Sequence, residues 1–360
     1  MRARPFPFDL NIERASTIPA RLYTDPVVFA LEQERVFGRT WQLAGHAADV
    51  GESGQYFTTE VAGESVVVLR DGDVLRGFHN VCLHRAGPVA SGCGKRQALQ
   101  CKYHGWTYRL DVSLLRTPGM EDARHFRPED MHLVPVRVEA WGPLIFVNLD
   151  LKAPPIGEFL EDLPARVNFD PAVSYAGIDR REYDVACNWK VYVDNYLEGY
   201  HIPLVHPALH KELDDKRYQV EPRRYYSIQH APLRGAAAPD QDRLYRPDAA
   251  HDSAQYYWLF PNMMLNVYFG QLQTNIVLPR GPDHTVVVFE WFALDRSLDP
   301  EGDEWARQVA FSDKVQDEDR EICEVVQRNL RSRVYDRGRY APRQEQGVHH
   351  FHALLHEFLS

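Results

Sequence analysis

The sequence predicts an α+β fold in two domains: a small antiparallel β-sandwich, then a larger domain in which helices cover an antiparallel sheet. Three observations carry this. Short alternating apolar runs split by turn signals occupy residues 41–152, as in a compact all-β unit. The stretch from Lys152 to Gly157, with Pro154 and Pro155 inside it, reads as a linker. In residues 153–360, β-rich runs cluster between helical ones, the order of an α+β domain rather than of alternating βαβ units.

Taken in order, residues 1–40 read as an arm and a helix expected to pack on the larger domain. Thr24 and Asp25 precede Pro26, a helix start, and Val28, Leu31, Val36 and Phe37 follow as an apolar stripe. Tyr56 to Val61 and Ser65 to Arg70 are strand-like, Asp71-Gly72 is a hairpin turn, and Val74 to Phe78 is the partner strand. Leu99-Gln100 and Thr107 to Arg109 make a further pair, and Leu144 to Leu149 closes the domain. In the larger domain Val185 to Tyr200 reads as helix. Tyr256 to Phe260, Leu265 to Phe269, Gln273 to Leu278 and Thr285 to Leu294 read as strands, and Glu304 to Arg331 as a long amphipathic helix.

Composition narrows the function. Apolar residues make up 44% of the 360, enough to build a core. A net charge of −10 argues against nucleic acid and anionic membranes as partners. Five cysteines, few and odd in number, suit a reducing compartment such as the cytoplasm. No apolar signal segment follows the basic start, and the longest uncharged run, Ser253 to Pro279, is too polar to span a bilayer.

The chemistry begins at Cys82-Leu83-His84, followed sixteen residues later by Cys101-Lys102-Tyr103-His104. Two loops each offer one thiolate and one imidazole. Two Cys on one iron and two His on the other make the ligand set of a Rieske [2Fe–2S] centre. Structural zinc sites usually pair Cys with Cys and His with His, unlike these mixed loops. Gly87, Gly92, Gly94 and Gly105 supply turns around the loops, and Cys93 between them is not expected to ligate.

A second constellation follows. His201 and His206 flank Pro203, where the predicted helix should end, so the two imidazoles can converge across the break. Taken alone they are as readily two surface histidines. A cluster in the same chain changes that, because a stored electron needs a destination. A 2-His-1-carboxylate triad needs one acid from elsewhere and leaves positions open for O₂. The long helix offers six, and periodicity chooses Asp319. Trp305, Val309, Val315, Ile322, Val326 and Leu330 form the apolar stripe, and Asp319 lies on it, four after Val315. Asp317 and Glu321 lie off it. Glu198, three before His201, and Asp194 on the same predicted helix are the candidate catalytic carboxylates.

Asn80 to Arg85 with Cys101 to Tyr108 resembles the Rieske domain of the Rieske non-heme iron oxygenases, in their α-subunit. Glu198 to His206 resembles that family's iron motif, and Gln316 to Glu324 its C-terminal carboxylate segment. The resemblance implies a helix-grip catalytic domain, a [2Fe–2S] cluster on Cys82, His84, Cys101 and His104, and Fe(II) on His201, His206 and Asp319. It also implies a ring of three subunits and a bridging acid between the metals. That acid is usually Asp; Glu198 in its place resembles the branch acting on quaternary ammonium compounds, as does Leu259 to Asn266.

The resemblance therefore implies an O₂-dependent terminal oxygenase that hydroxylates or N-demethylates a small quaternary ammonium substrate. Hydroxylation or O-demethylation of an aromatic compound is the alternative, and an electron-transfer or binding protein a more distant one. A quaternary ammonium ion is held by aromatic faces. Tyr257, Trp258, Tyr268, Phe269, Phe289 and Trp291 are the candidates, though any one of them reads more readily as ordinary core. No flavin- or NAD-binding glycine fingerprint is present, so a reductase or ferredoxin partner is expected. The histidines from His349 to His356 are expected to form the polar face of a terminal helix.

Overall fold

The computed structural model describes residues 6–167, 169, 179–234, 244, 252–268, 270–293 and 299–360. The candidate residue Phe269 lies outside them. The chain divides into two compact units: Gln33–Arg166, and Met1–Glu32 with Val167–Ser360. These boundaries differ from the expected 40/41 and 152/153. The stretch after residue 152 stays with the first unit because its backbone is tied to that sheet. Trp41 Nε1 donates to Pro154 O at 3.1 Å and Ile156 N to Glu139 Oε2 at 3.0 Å.

Among the described residues, the first unit holds an antiparallel sheet in the order Gln42–His46, Leu144–Asn148, Pro135–Trp141, Val74–His79, Glu64–Asp71, Gln55–Val61, Cys93–Lys95. Asp71 pairs with Val74 across a two-residue turn in which Gly72 has φ +58°, as the Asp-Gly signal demands. A second sheet joins Ala98–Gln100, Thr107–Arg109 and Leu114–Arg116. Tyr56, Val67, Leu69 and Phe78 of the large sheet share one core with Leu99, Tyr108 and Leu114 of the small one. Cys82 and Cys101 belong to that core, so packing fixes the bases of both loops.

The second unit is built on an antiparallel sheet in the order Asp179–Val185, His284–Ala293, Gln271–Gly281, Met263–Tyr268, Ser253–Leu259, Tyr226–Pro232, Gln219–Pro222. The helices Trp189–Tyr196 and Asp303–Asn329 pack on each other and on this sheet. The C-terminal helix, Gln346–Leu359, packs on the strand Gln219–Pro222. The expected helix from Val185 is shorter at both ends. Val185 is still strand, paired with Thr285, and Asn188 caps the helix by accepting from Lys190 N at 3.1 Å. It ends at Tyr196, well before Pro203. Pro203 opens the next helix, Ile202–Val205, instead of breaking the last one.

The N-terminal arm is anchored from within. Lys190 Nζ donates to Glu32 Oε1 at 2.6 Å with both side chains buried, and Trp189 Nε1 donates to Glu32 Oε2 at 2.8 Å. Burial pushes the Glu32 carboxyl up and the Lys190 amine down, against their mutual attraction. Among the described residues no helix is long and apolar enough to cross a membrane.

Candidate metal centres and substrate cavity

Two loops of the same build frame the first candidate centre. Cys82 N donates to Gly87 O at 2.8 Å and Ala86 N to Cys82 O at 2.9 Å. In the second loop Cys101 N donates to Trp106 O and Gly105 N to Cys101 O, both at 2.9 Å. Ala86 and Gly105 occupy equivalent places and both turn left-handed, with φ +56° and +78°. The loops approach so closely that a Cβ on Gly87 would lie 2.8 Å from Cys101 Sγ. The His84 and His104 rings stand 4.6 Å apart at 73°, and His84 stacks on Trp106 at 4.9 Å. Both Nδ1 atoms are buried without a hydrogen-bond partner. Two buried thiols and two orphan imidazole nitrogens are what a [2Fe–2S] centre with mixed ligands would satisfy. Tyr108 Oη lies 3.4 Å from Cys82 Sγ and accepts from Leu83 N at 3.1 Å, a hydrogen bond of the kind that tunes cluster potential. Cys93 sits exposed on an edge strand, outside this set.

The second candidate centre joins three elements. His201 precedes the short helix Ile202–Val205, His206 follows it, and Asp319 projects from the long helix. Their ligand atoms all lie within 4.8 Å of one another. His206 Nε2 is 3.2 Å from His201 Nε2 and 3.0 Å from Asp319 Oδ1. The far nitrogens are held by carboxylates: His201 Nδ1 by Glu198 Oε1 and His206 Nδ1 by Glu318 Oε2, each at 2.7 Å. These bonds turn both Nε2 atoms inward, the orientation that ligation requires. Asn195 Nδ2 donates to Asp319 Oδ1 at 2.5 Å. Burial opposes charging of His206, but Asp319 and Glu318 outweigh it and hold the imidazole above its usual range.

Glu198 reaches His201 from a turn after the helix, not from a shared helix face. Asp194 does not line the cavity at the triad. It lies 2.9 Å from His352 Nε2 and accepts from Tyr23 Oη at 2.6 Å, tying the arm and the C-terminal helix together. Glu318 was not among the expected site residues. The only signal for it is its place beside Asp319.

The triad opens onto a cavity of about 90 Å³. Of the expected aromatic residues, Tyr268 and Phe289 line it. Tyr257 alternates to the other face of the sheet, being one residue from Tyr256, which does line it. Trp258 shares the face of Tyr256 but is covered by Phe351 of the C-terminal helix at 5.3 Å. Trp291 is likewise buried, in a strand paired on both sides, against Phe289 at 5.7 Å. Tyr192, Tyr196, Tyr218 and Phe311 line the cavity instead, from two helices and a connecting segment and not from the strands in which the described aromatic candidates lie. The terminal histidines do not form a polar face: His352 is buried with Nδ1 2.7 Å from Tyr340 Oη, and burial pushes His350 down to about 4.

Comparison with known proteins agrees with this geometry. Residues 40–127 match the family described as Rieske [2Fe-2S] domain, and residues 173–360 the family described as ring hydroxylating alpha subunit, catalytic domain. A chloroplastic choline monooxygenase of Arabidopsis thaliana is 40% identical over 97% of this chain and 84% of its own length. The carnitine monooxygenase oxygenase subunit of Escherichia coli (strain K12) is 33% identical over 98% of this chain and 96% of its own. A solved quaternary ammonium Rieske monooxygenase superposes with TM-score 0.85 at 26% identity, covering 99% of this chain and 100% of that one. With a relative of this identity along nearly its whole length, and both family matches in series, the chain belongs to the Rieske non-heme iron oxygenases, as an α-subunit with a [2Fe–2S] cluster and a mononuclear iron.

Proposed function

We propose that this chain is the oxygenase component of a monooxygenase acting on a quaternary ammonium compound, fed by a separate reductase or ferredoxin. Cys82, His84, Cys101 and His104 hold the cluster; His201, His206 and Asp319 hold the iron. When bound, the cluster supplies single electrons and the iron activates O₂ for insertion into a C–H bond. The rest falls to the protein's own groups. Glu198 and Glu318 fix the tautomers of His201 and His206, with each Nδ1–H donating outward. Tyr196, Tyr256 and Tyr268 stand edge to face at 6.4 and 5.9 Å and offer the cation a wall of rings. Each good cation–ring contact contributes about 0.5–2 kcal/mol.

The observation that carries the reading is the juxtaposition of the His201, His206 and Asp319 donors with that tyrosine wall in one cavity. The named relatives, a choline and a carnitine monooxygenase, support the substrate class. All five cysteines are free, which suits the cytoplasm. We further propose a homotrimer in which the cluster of one subunit serves the iron of the next, with Glu198 joining the two. Exposed apolar side chains next to each centre support it: Tyr103 beside His104, and Tyr200 and Leu204 beside His201, the last 88% exposed. The direct test is O₂ uptake by the reduced enzyme across a panel of quaternary amines and aromatic acids. Stimulation by quaternary amines is expected; stimulation by aromatic acids alone would favour ring hydroxylation instead.

A further inference from the structure

One wall of the cavity is made of amides. Ser312 Oγ donates to Gln273 Oε1 at 3.0 Å, and Gln273 Nε2 donates to Asn275 Oδ1 at 2.6 Å, so these groups largely satisfy one another. Gln316 differs. Its side chain is 1% exposed and lines the cavity. Its Oε1 accepts from Tyr192 Oη, while its Nε2 has no partner in the protein. A buried amide N–H left without an acceptor is destabilising, so a cavity that keeps one there is shaped for a ligand oxygen. Gln316 also stands three residues before Asp319, one turn along the same helix face. An oxygen bonded to it holds its own carbon near the metal site.

Charge sets the kind of oxygen. Among the described residues lining the cavity, the carboxylates are Glu198 and Asp319, and no Lys or Arg accompanies them. A cationic head finds the rings and the acids. A carboxylate tail would find no Lys or Arg to pair with among these residues, and the one cation expected there, the iron, is already matched by Asp319 with Glu198 close by.

We propose that Gln316 is the specificity-determining residue of this site. It selects a quaternary ammonium alcohol over the cation without the oxygen and presents the alcohol carbon for oxidation, while the neighbouring acids, with no Lys or Arg among the described lining residues, select against a carboxylate. The proposal rests on the quaternary ammonium reading above. The reaction balances as a monooxygenation. One atom of O₂ enters a C–H bond of the hydroxyl-bearing carbon; the other leaves as water with two electrons from the reductase and two protons. The resulting 1,1-diol loses water to the aldehyde.

The test compares three probes on the enzyme with both metals loaded: choline, ethyltrimethylammonium, which lacks the oxygen, and glycine betaine, which carries a carboxylate. Binding is read by calorimetry. Choline should bind about tenfold or more tightly than the other two. Gln316→Met should erase most of choline's advantage over ethyltrimethylammonium, leaving the latter within about twofold, while glycine betaine, disfavoured by charge, stays weak. Gln316→Asn, which keeps the amide but shortens its reach, should do the same and replaces the first variant should that one lose its cluster absorbance. Turnover of choline should yield its aldehyde without formaldehyde. Equal binding of the three probes, equal weakening of all three in both variants, or release of formaldehyde would overturn the role of Gln316. Binding of none of the three, with an aromatic acid bound instead, would overturn the quaternary ammonium reading itself.

Discussion

At the scale of single residues, the long helix carries its function in a seam of polar groups. Gln316, Cys323 and Gln327 are buried at steps of seven and four, and Asp319 falls between the first two on that face. Asp317 points out and pairs with Arg320 at 3.0 Å. Asp319→Ala should therefore lose mononuclear iron and turnover while keeping the cluster spectrum, and Asp317→Ala should keep both. Iron content per chain and visible absorbance check this, and essentiality of Asp317 would refute the assignment. Glu318→Gln should weaken iron binding by about 10–100-fold, because His206 loses the carboxylate that orients it. The same change carries a pH signature. His206 must be neutral to ligate, and in the metal-free protein its pKa lies above the ordinary value near 6.5. Iron uptake should thus begin to fail, as pH drops, already above that value. Removing the Glu318 charge should move the failure to lower pH. Folding stability of the metal-free protein runs the other way: the contribution of charged His206 is full below the unfolded pKa and is lost as pH rises through the raised one. Iron titrations of wild type and variant across pH 5–8 would show the shift, and superimposable curves would exclude it.

At the scale of elements, the helix Trp189–Tyr196 matters most, since Asn195 touches Asp319 and Tyr192 touches Gln316. Its base is pinned by the Glu32–Lys190 pair, with Lys190 Nζ also 5.2 Å from the Trp189 ring. Glu32→Gln leaves a buried ammonium without its anion and should destabilise the protein by about 3–5 kcal/mol. Glu32→Leu with Lys190→Met should recover most of that, because two apolar groups fill the same space with no charge to desolvate. Denaturant midpoints of the two variants decide it; equal loss in both would mean that the ion pair is not what anchors the arm. How much of these elements could be read beforehand follows from the range of the forces involved. The paired Cys/His loops and the choice of Asp319 rest on neighbours within a turn or two, which spacing can suggest, but the expected apolar stripe is not the buried face: Val326 is 40% exposed, while Gln316, Cys323 and Gln327 are buried. The strand Tyr226–Pro232 and the burial of Trp258 beneath Phe351 depend on partners far along the chain. Pro203 shows a subtler failure: its missing N–H breaks a helix from within but suits a helix's first turn, and the sequence alone does not say on which side the helix lies.

At the scale of the whole molecule, the proposed trimer makes a claim about division of labour. If each cluster serves the iron of the next subunit, a chain without a cluster and a chain without an iron can complement each other. Cys101→Ser removes a cluster thiolate and Asp319→Ala removes an iron ligand, so each homotrimer should be inactive, yet each keeps the centre that the other lacks. Subunits mixed at equal ratio before assembly, and randomly joined, place an intact cluster next to an intact iron at about a quarter of the junctions of a ring. Purification through both tags discards the rings of one kind, and every mixed ring of three has one such junction, so the mixed assemblies should regain about a third of wild-type turnover. The measurement is substrate-dependent O₂ uptake after co-expression with two different tags and tandem purification, with mass in solution confirming three chains. A heterologous interface is required for this result, because a ring closes only when one face of each subunit meets a different face of the next. The exposed Tyr103 on one unit and the exposed Tyr200 and Leu204 on the other are the faces expected to meet. Tyr103→Glu should break the assembly and the complementation together while leaving each separate metal spectrum intact. Mixed assemblies that form as trimers but remain inactive would show that electrons pass within a subunit, and Glu198 would then lose its bridging role while keeping its hold on His201.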